Sequence, residues 1–522
     1  MIFTRRSFLV ALGTWLVFGL VHAAAAAPQG DGRVYVILWF DTEDYLLPAD
    51  DDATLRISEF LTKEGIRCTH KIVGEKARVL EKRGRADVID ALKKHEIGYH
   101  SDFHSVQPTP ALFMSTQGWD DGVAEFDRRE RQGMLDVERI TGQKPSCYGQ
   151  PGSSWGPQQF GAMRQWEMPI YLDAGSHVKL DGDPFWYCGI LNLYALKATL
   201  RTSLGGPQDL EEAKTRFDKA YEELLAEGGG PVSIYYHPCE FVHKQFWDGV
   251  NFMKGANPPR SEWKVPPQKT PEESRVAYET FEGYIRFIKS HPNVQFVTAR
   301  EALELYRDRA QGRTFTAAEI AKVANQVRLP NAVNSIPRKR AAASLGRASA
   351  SEVADDEVGF QKRDGFTLST AESLYLLVAS RMAGPGGDKE IVLDRSPFGP
   401  TQPAPQHGEV ECDRSQMERT IADVADYMKR HGRVPNAVWL GSTPVSPESF
   451  LQALTNPPDA ATVRFAPTGL QPARYVAEDD PKLWGWVIFP SGFRAPEMMQ
   501  LAKRQAWTLK PAVLSTRTGA AN

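Results

Sequence analysis

Residues 33–44 read RVYVILWFDTED: an arginine, seven unbroken apolar or aromatic positions, then a carboxylate-rich turn. A strand that is apolar at every position is buried on both faces. That is the condition of a parallel sheet covered by helices, not of an antiparallel sheet with one wet face. Outward from this stretch, further short β-branched or aromatic runs predict strands at 67–73, 96–99, 145–149, 169–173, 232–237 and 294–298. Helical spacing predicts helices at 53–63, 86–95, 122–141, 208–227 and 271–290. The alternation predicts an α/β domain with mostly parallel strands, and roughly seven strand-helix units in under 300 residues suit a barrel better than an open sheet.

The chain has 522 residues, 42% hydrophobic and 10% aromatic, enough for two or three domains with a sizeable core. Its 62 basic and 65 acidic residues leave a net charge of -3, which gives no sign of a polybasic surface for nucleic acid or membrane and fits small or uncharged polymeric partners better. Residues 1–27 carry Thr4-Arg5-Arg6-Ser7-Phe8-Leu9, an apolar run too short for a comfortable span, and an alanine tract. They read as an export signal of twin-arginine type, with general secretion second and an uncleaved anchor third, placing the mature protein in the periplasm, cell envelope or medium with no stable membrane span. The five cysteines form no Cys-x-x-Cys and read mostly as small buried hydrophobes, with Cys239 notable for lying two residues from His237.

In a barrel or an open parallel sheet alike, chemistry gathers at strand C-terminal ends. Asp41 and Asp44 follow the first strand, Pro151 and Asp173 follow later ones, and His237 ends another. His100 and His104 follow the third strand and are the only pair among eleven histidines with four-residue spacing, which one helical turn would place on one face to share a metal ion. Each also has a structural reading. The acidic turn can cap a helix, the histidine pair can sit on a wet surface helix, and His237 can be a satisfied core residue before a proline. Their joint occurrence at strand ends in one domain favours a shared metal with carboxylate and imidazole groups around it.

The order Phe40-Asp41-x-x-Asp44, His100-Ser101-x-x-His104, Gly149-Gln150-Pro151 and His237-Pro238 resembles the polysaccharide deacetylase family, also called carbohydrate esterase family four, over residues 33–310. The resemblance implies a distorted (β/α)7 barrel and one divalent metal, commonly zinc. It also implies removal of acetyl groups from N-acetylated sugars, or hydrolysis of another non-peptide carbon-nitrogen bond. By position it makes Asp41 the general base, His237 the general acid, and Asp44, His100 and His104 the metal ligands. Three departures stand out. Thr42 and Glu43 separate the two aspartates, so Glu43 is an alternative ligand. Gly149 stands where the family has an arginine that orients the base, which leaves Asp41 poorly positioned unless another cation substitutes. Asp173 matches the fourth motif without its tryptophan. A binding protein that keeps the fold and has lost efficient catalysis is the alternative function. Trp155, Trp186 and Trp247 follow strand ends and are candidates for stacking on sugar faces.

The expected organisation is therefore a signal at 1–27, the deacetylase-like domain at 28–310, a helix and linker at 311–360, and a smaller, mainly helical or α+β domain at 361–522. The linker expectation rests on residues 331–351, poor in large apolar side chains. Thr316-Ala-Ala-Glu319, ahead of the linker, and Ser369-Thr-Ala-Glu372, beyond it, are capping boxes, and Ser446-Pro447 opens another helix. Residues 427–451 resemble the pseudomurein-binding type of cell-wall repeat, which implies a cell-wall polymer as a partner beside the glycan substrate.

Overall fold

The computed structural model describes residues 31–328, 357–384, 390–457 and 459–515. The export segment and residues 331–351 lie outside the described residues. Ten strands build the main sheet of the first 310 residues: β1 (Arg33–Thr42), β2 (Thr69–Ile72), β3 (Glu96–Tyr99), β4 (Cys147–Tyr148), β5 (Ile170–Asp173), β6 (Phe185–Tyr187), β7 (Ile190–Tyr194), β8 (Thr199–Leu200), β9 (Gly229–Tyr236) and β10 (Val294–Val297). Their spatial order is β6-β7-β5-β4-β3-β2-β1-β9-β8, with β10 also on β1. All pair in parallel except β6, which forms a hairpin with β7.

Both faces of β1 are buried, as its apolar run requires. Val34, Val36, Leu38 and Phe40 pack outward with side chains of the helices Pro48–Lys63, Pro207–Ala226 and Pro271–Lys289. Tyr35, Ile37 and Trp39 point inward and share one cluster with Ile170 and Leu172 of β5, Leu191 and Leu193 of β7 and Val297 of β10. In a flat sheet β7 would stand five strand spacings from β1, about 24 Å away. Shared packing of their side chains is possible only because the sheet curls, so the architecture is a distorted barrel. It is unclosed: β8 at one end of the order pairs with β9, not with the other edge. The short β6-β7 hairpin and β8 have no separate signature in the sequence reading, because their few residues merge into one apolar stretch.

Residues 310–470 hold a separate core of Leu374, Leu377, Ile421, Phe450 and Val463 among short helices and two-stranded ladders. The helix caps expected there form: Ser369 and Glu372 exchange backbone hydrogen bonds, as do Thr316 and Glu319. The chain then returns to the barrel. Val476, Trp484, Phe489, Met498 and Leu509 pack into the cluster that holds Tyr99, Phe126 and Tyr148, and Lys510–Pro511 adds an antiparallel strand to β6. Among the described residues no helix is long and apolar enough to cross a membrane.

Candidate metal centre and catalytic groups

Asp41, Glu43, His100, Asp173 and His237 all stand at or just past C-terminal strand ends and line one cavity of about 580 Å³ with His104, Gln150, Arg201, Tyr235, Asp248 and Trp486. Side chains alternate along a strand, so Asp41 and Glu43 share a face and Thr42 and Asp44 take the other. The expectation for Asp44 as partner of the histidine pair is corrected by this parity. Glu43 Oε2 lies 2.7 Å from His104 Nε2 and 3.4 Å from His100 Nε2. Asp44 turns away, accepting from the Leu46 N–H at 2.9 Å and facing His243.

The histidine pair does not ride on a helical turn. Residues 100–108 form bends and turns, with Ser101 at φ 66° and His104 at φ 59° in the left-handed region. Such a conformation costs a non-glycine residue about 1–2 kcal/mol. Surrounding bonds hold it: Ser101 and Asp102 carbonyls accept from Gly74 and Glu75, Ser101 Oγ from the His104 N–H, and Glu130 Oε2 from the Asp102 N–H. This strained loop, not helical spacing, brings the two rings within 5.0 Å of each other.

The donor set fits a cation. His100 Nδ1 sits 3.0 Å from the Gly149 carbonyl oxygen, a contact that places its proton there and leaves Nε2 as a lone pair. His104 Nδ1 is held 2.7 Å from Ser105 Oγ. Both Nε2 atoms are buried and without a hydrogen-bond partner, although the Glu43 carboxylate is beside them. Two imidazole nitrogens and a carboxylate oxygen converging without being in line with one another are the donors of a three-ligand centre with positions left open.

Asp41 and His237 flank these three residues. Asp41 Oδ2 is 3.6 Å from His237 Nε2, and Asp41 Oδ1 is 3.4 Å from His100 Nδ1. Burial resists ionisation of Asp41, but His100, Lys71 and His237 outweigh it and hold the carboxyl below its usual range. His237 Nδ1 pairs with Glu240 Oε2 at 2.9 Å, and Glu240 is held in turn by Arg201. Burial disfavours charge on His237 too, yet Glu43, Glu240 and Asp41 together raise its pKa to about 9. The cavity thus holds an ionised carboxylate and a protonated imidazole side by side.

Lys71 is the residue the sequence reading missed. Its side chain is fully buried, and Nζ lies 2.9 Å from Asp41 Oδ1 and 2.7 Å from Asp173 Oδ2, over the Trp39 ring. A Cβ built on Gly149 would collide with that ammonium and with the Asp173 carboxylate. The place that the family resemblance gives to an arginine is therefore filled from β2, and Gly149 leaves the room for it. Asp41 keeps a cation, and Asp173, pushed up by burial and by Asp41 to about 7 against the pull of Lys71, completes the triad. A lysine inside the strand Thr69–Ile72 was the available signal, since a buried lysine demands carboxylate partners.

The tryptophans named from sequence are packing residues. Trp155 is buried and stacked on His177, Trp186 lies in the barrel core, and Trp247 is buried against Tyr45 and His104. Trp486, from the returning C-terminal segment, is the one that walls the cavity. Its indole N–H donates to Asp248 Oδ2 at 2.7 Å, its backbone N–H to Ser153 Oγ at 3.2 Å, and its ring meets His104 edge-on. Gly152, at φ 53°, admits the indole because it has no Cβ to strike it. All five cysteines are free, and burial followed by the charges of Glu43, Asp44 and Asp50 pushes the Cys239 thiol far up, so it is not a nucleophile.

No family model and no curated protein sequence matches this chain. Among solved structures it is similar to a putative polysaccharide deacetylase from Mycobacterium smegmatis, with 12% identity over 54% of this chain and 92% of that one and a TM-score of 0.33. A probable polysaccharide deacetylase from Pseudomonas aeruginosa PAO1 shares 17% identity over 52% and 92%, with a TM-score of 0.36. Puue allantoinase shares 16% identity over 53% and 92%, also with a TM-score of 0.36.

Proposed function

We propose that this chain is an exported, metal-dependent hydrolase of non-peptide carbon-nitrogen bonds that deacetylates an N-acetylated glycan at the cell envelope. The observation that carries the reading is the convergence of Glu43, His100 and His104, with Asp41 and His237 next to them in one cavity. Glu43, His100 and His104 would hold the cation, with zinc matching two nitrogens and a carboxylate oxygen. When bound, it supplies Lewis acidity for the amide carbonyl and a lowered pKa for water.

The chain's own groups do the rest. Asp41, kept ionised beside Lys71, takes the proton of the attacking water. His237, kept protonated by Glu240, donates to the departing amine nitrogen, so cleavage of the C–N bond releases a neutral amine and acetate. Trp486 closes one wall and excludes water from that side. Residues 427–451, with Trp439 exposed, are the part proposed to touch cell-wall polymer.

The test is acetate release from a panel of N-acetylated glycans by the metal-loaded full chain, with Asp41→Asn as the control. Release from wild type alone is expected. Release equal to that of Asp41→Asn on every glycan would overturn the reading.

A further inference from the structure

Behind Glu43 lies a second buried cluster that the proposed reaction does not use. Asp44 faces away from the cavity and meets Asp50, in the first turn of the helix Pro48–Lys63, and His243, beyond the turn that follows β9. Their side chains are about 1% exposed; Asp44 Oδ2 is 3.3 Å from His243 Nδ1 and Asp50 Oδ2 is 3.6 Å from His243 Nε2. Asp44 Oδ2, both carboxylate oxygens of Asp50 and both ring nitrogens of His243 are buried without a donor from any other residue, and the Asp44 and Asp50 carboxyls lie close enough to share a proton. The nearby cations are committed elsewhere. Lys76 Nζ donates to Asp51 Oδ1 and to the Asp44 backbone carbonyl, and Arg83 donates to Asp51 Oδ2 and to the carbonyls of Tyr45 and Leu46.

A buried polar group left unpaired keeps the full cost of its desolvation. An imidazolium bridging two carboxylates would balance charge, but such bonds close to about 2.7–2.9 Å, and these contacts are longer. One donor atom from each residue lies within 4.8 Å of the other two. Ligands at about 2.0–2.2 Å from a common ion stand roughly 3–4 Å apart, which the 4.8 Å bound accommodates with one of the two ring nitrogens as ligand.

We propose that Asp44, Asp50 and His243 form a second divalent-cation site, distinct from that of Glu43, His100 and His104 and independent of the proposed reaction. One imidazole nitrogen with two carboxylates suits a borderline transition cation such as zinc or manganese better than magnesium or calcium. A cavity of about 190 Å³, lined by Cys239, Glu240, His243 and Lys244, leads to the histidine from outside. The role is structural: the ion ties the end of β1, the start of the first helix and the loop after His237 into one body.

Native mass spectrometry of the full chain, loaded with zinc or manganese and desalted, reads the number of bound cations. Two are expected for wild type, and one each for His243→Gln, Asp50→Asn and His104→Gln. A single cation in wild type that disappears in His104→Gln and persists in His243→Gln overturns this site and leaves the cavity's own centre standing. A single cation with the opposite pattern supports this site and overturns the other. Two cations retained in both His243→Gln and Asp50→Asn, or none in wild type, also overturn it. The wild-type count needs no variant to fold, and circular dichroism identifies any variant that does not.

Discussion

Replacing Lys71 with methionine keeps the length of the side chain and removes the charge that holds Asp41 and Asp173 together. Both carboxylates stay at most 7% exposed, so neither gains water in exchange. Breaking a buried pair by removing one partner costs about 3–5 kcal/mol, and here one cation serves two acids. The protein meets that cost by protonating Asp173, whose pKa is already near 7, and by raising that of Asp41. Each unit by which the Asp41 pKa rises is about 1.4 kcal/mol of lost preference for the ionised form, which lowers activity where the pH falls below the raised pKa. Loss of a positioned general base lowers rates by about 10²–10⁴-fold, so kcat/KM should fall about 100-fold while the acid limb of the pH profile moves up. The companion variant is Gly149→Arg. Alone it should destabilise the fold, because its Cβ strikes Lys71. Combined with Lys71→Ala, which removes the Nζ contact and leaves those with Asp173 Oδ2 and the Leu172 carbonyl, it should cost less than the sum of the two single changes, a non-additive result expected only if the two positions share one space. Steady-state kinetics and thermal melts of wild type, Lys71→Met, Lys71→Ala, Gly149→Arg and the double variant suffice. A Lys71→Met enzyme with unchanged kcat/KM and pH profile, or simple additivity in the double variant, would refute the reasoning.

Glu43→Gln should abolish binding of the proposed cation at His100 and His104 and lower kcat/KM by at least about 100-fold, whereas Glu43→Asp should retain part of both; metal content and kinetics measured together check this. Trp486→Ala opens one wall and leaves Asp248 without its indole donor, so KM should rise about tenfold, ~1.4 kcal/mol, with kcat changed far less. Glu130 is buried, and burial together with Asp102 raises its pKa from 4.5 to about 7. A raised carboxyl favours the folded state while protonated, so its contribution is full below about 4.5 and lost as pH climbs through 7, up to about 3 kcal/mol. Glu130→Gln should therefore flatten the fall in denaturation midpoint between pH 5 and 8, and identical slopes for both proteins would contradict the assignment.

What the sequence determined by itself is local. The apolar run at residues 34–40, with the shorter runs after it, was enough to read a parallel α/β sheet, because burial of both faces leaves no polar alternation. Since catalytic ends follow from strand direction, Asp41, His100, His104 and His237 were legible as one group. Tertiary structure alone decided the rest. Glu43 rather than Asp44 joins the histidines because strand alternation carries on past the last paired residue, and a sequence does not show where a turn breaks that parity. The histidines meet through a left-handed loop whose strain is held by bonds from distant segments. Lys71 reaches Asp173 from three strands away, about 14 Å across a flat sheet, because the barrel curls. Trp486 arrives from more than 300 residues further along than Ser153, to which it is tied. Periodicity records which side of an element is buried; only closure of the sheet and return of the chain determine what lies opposite it.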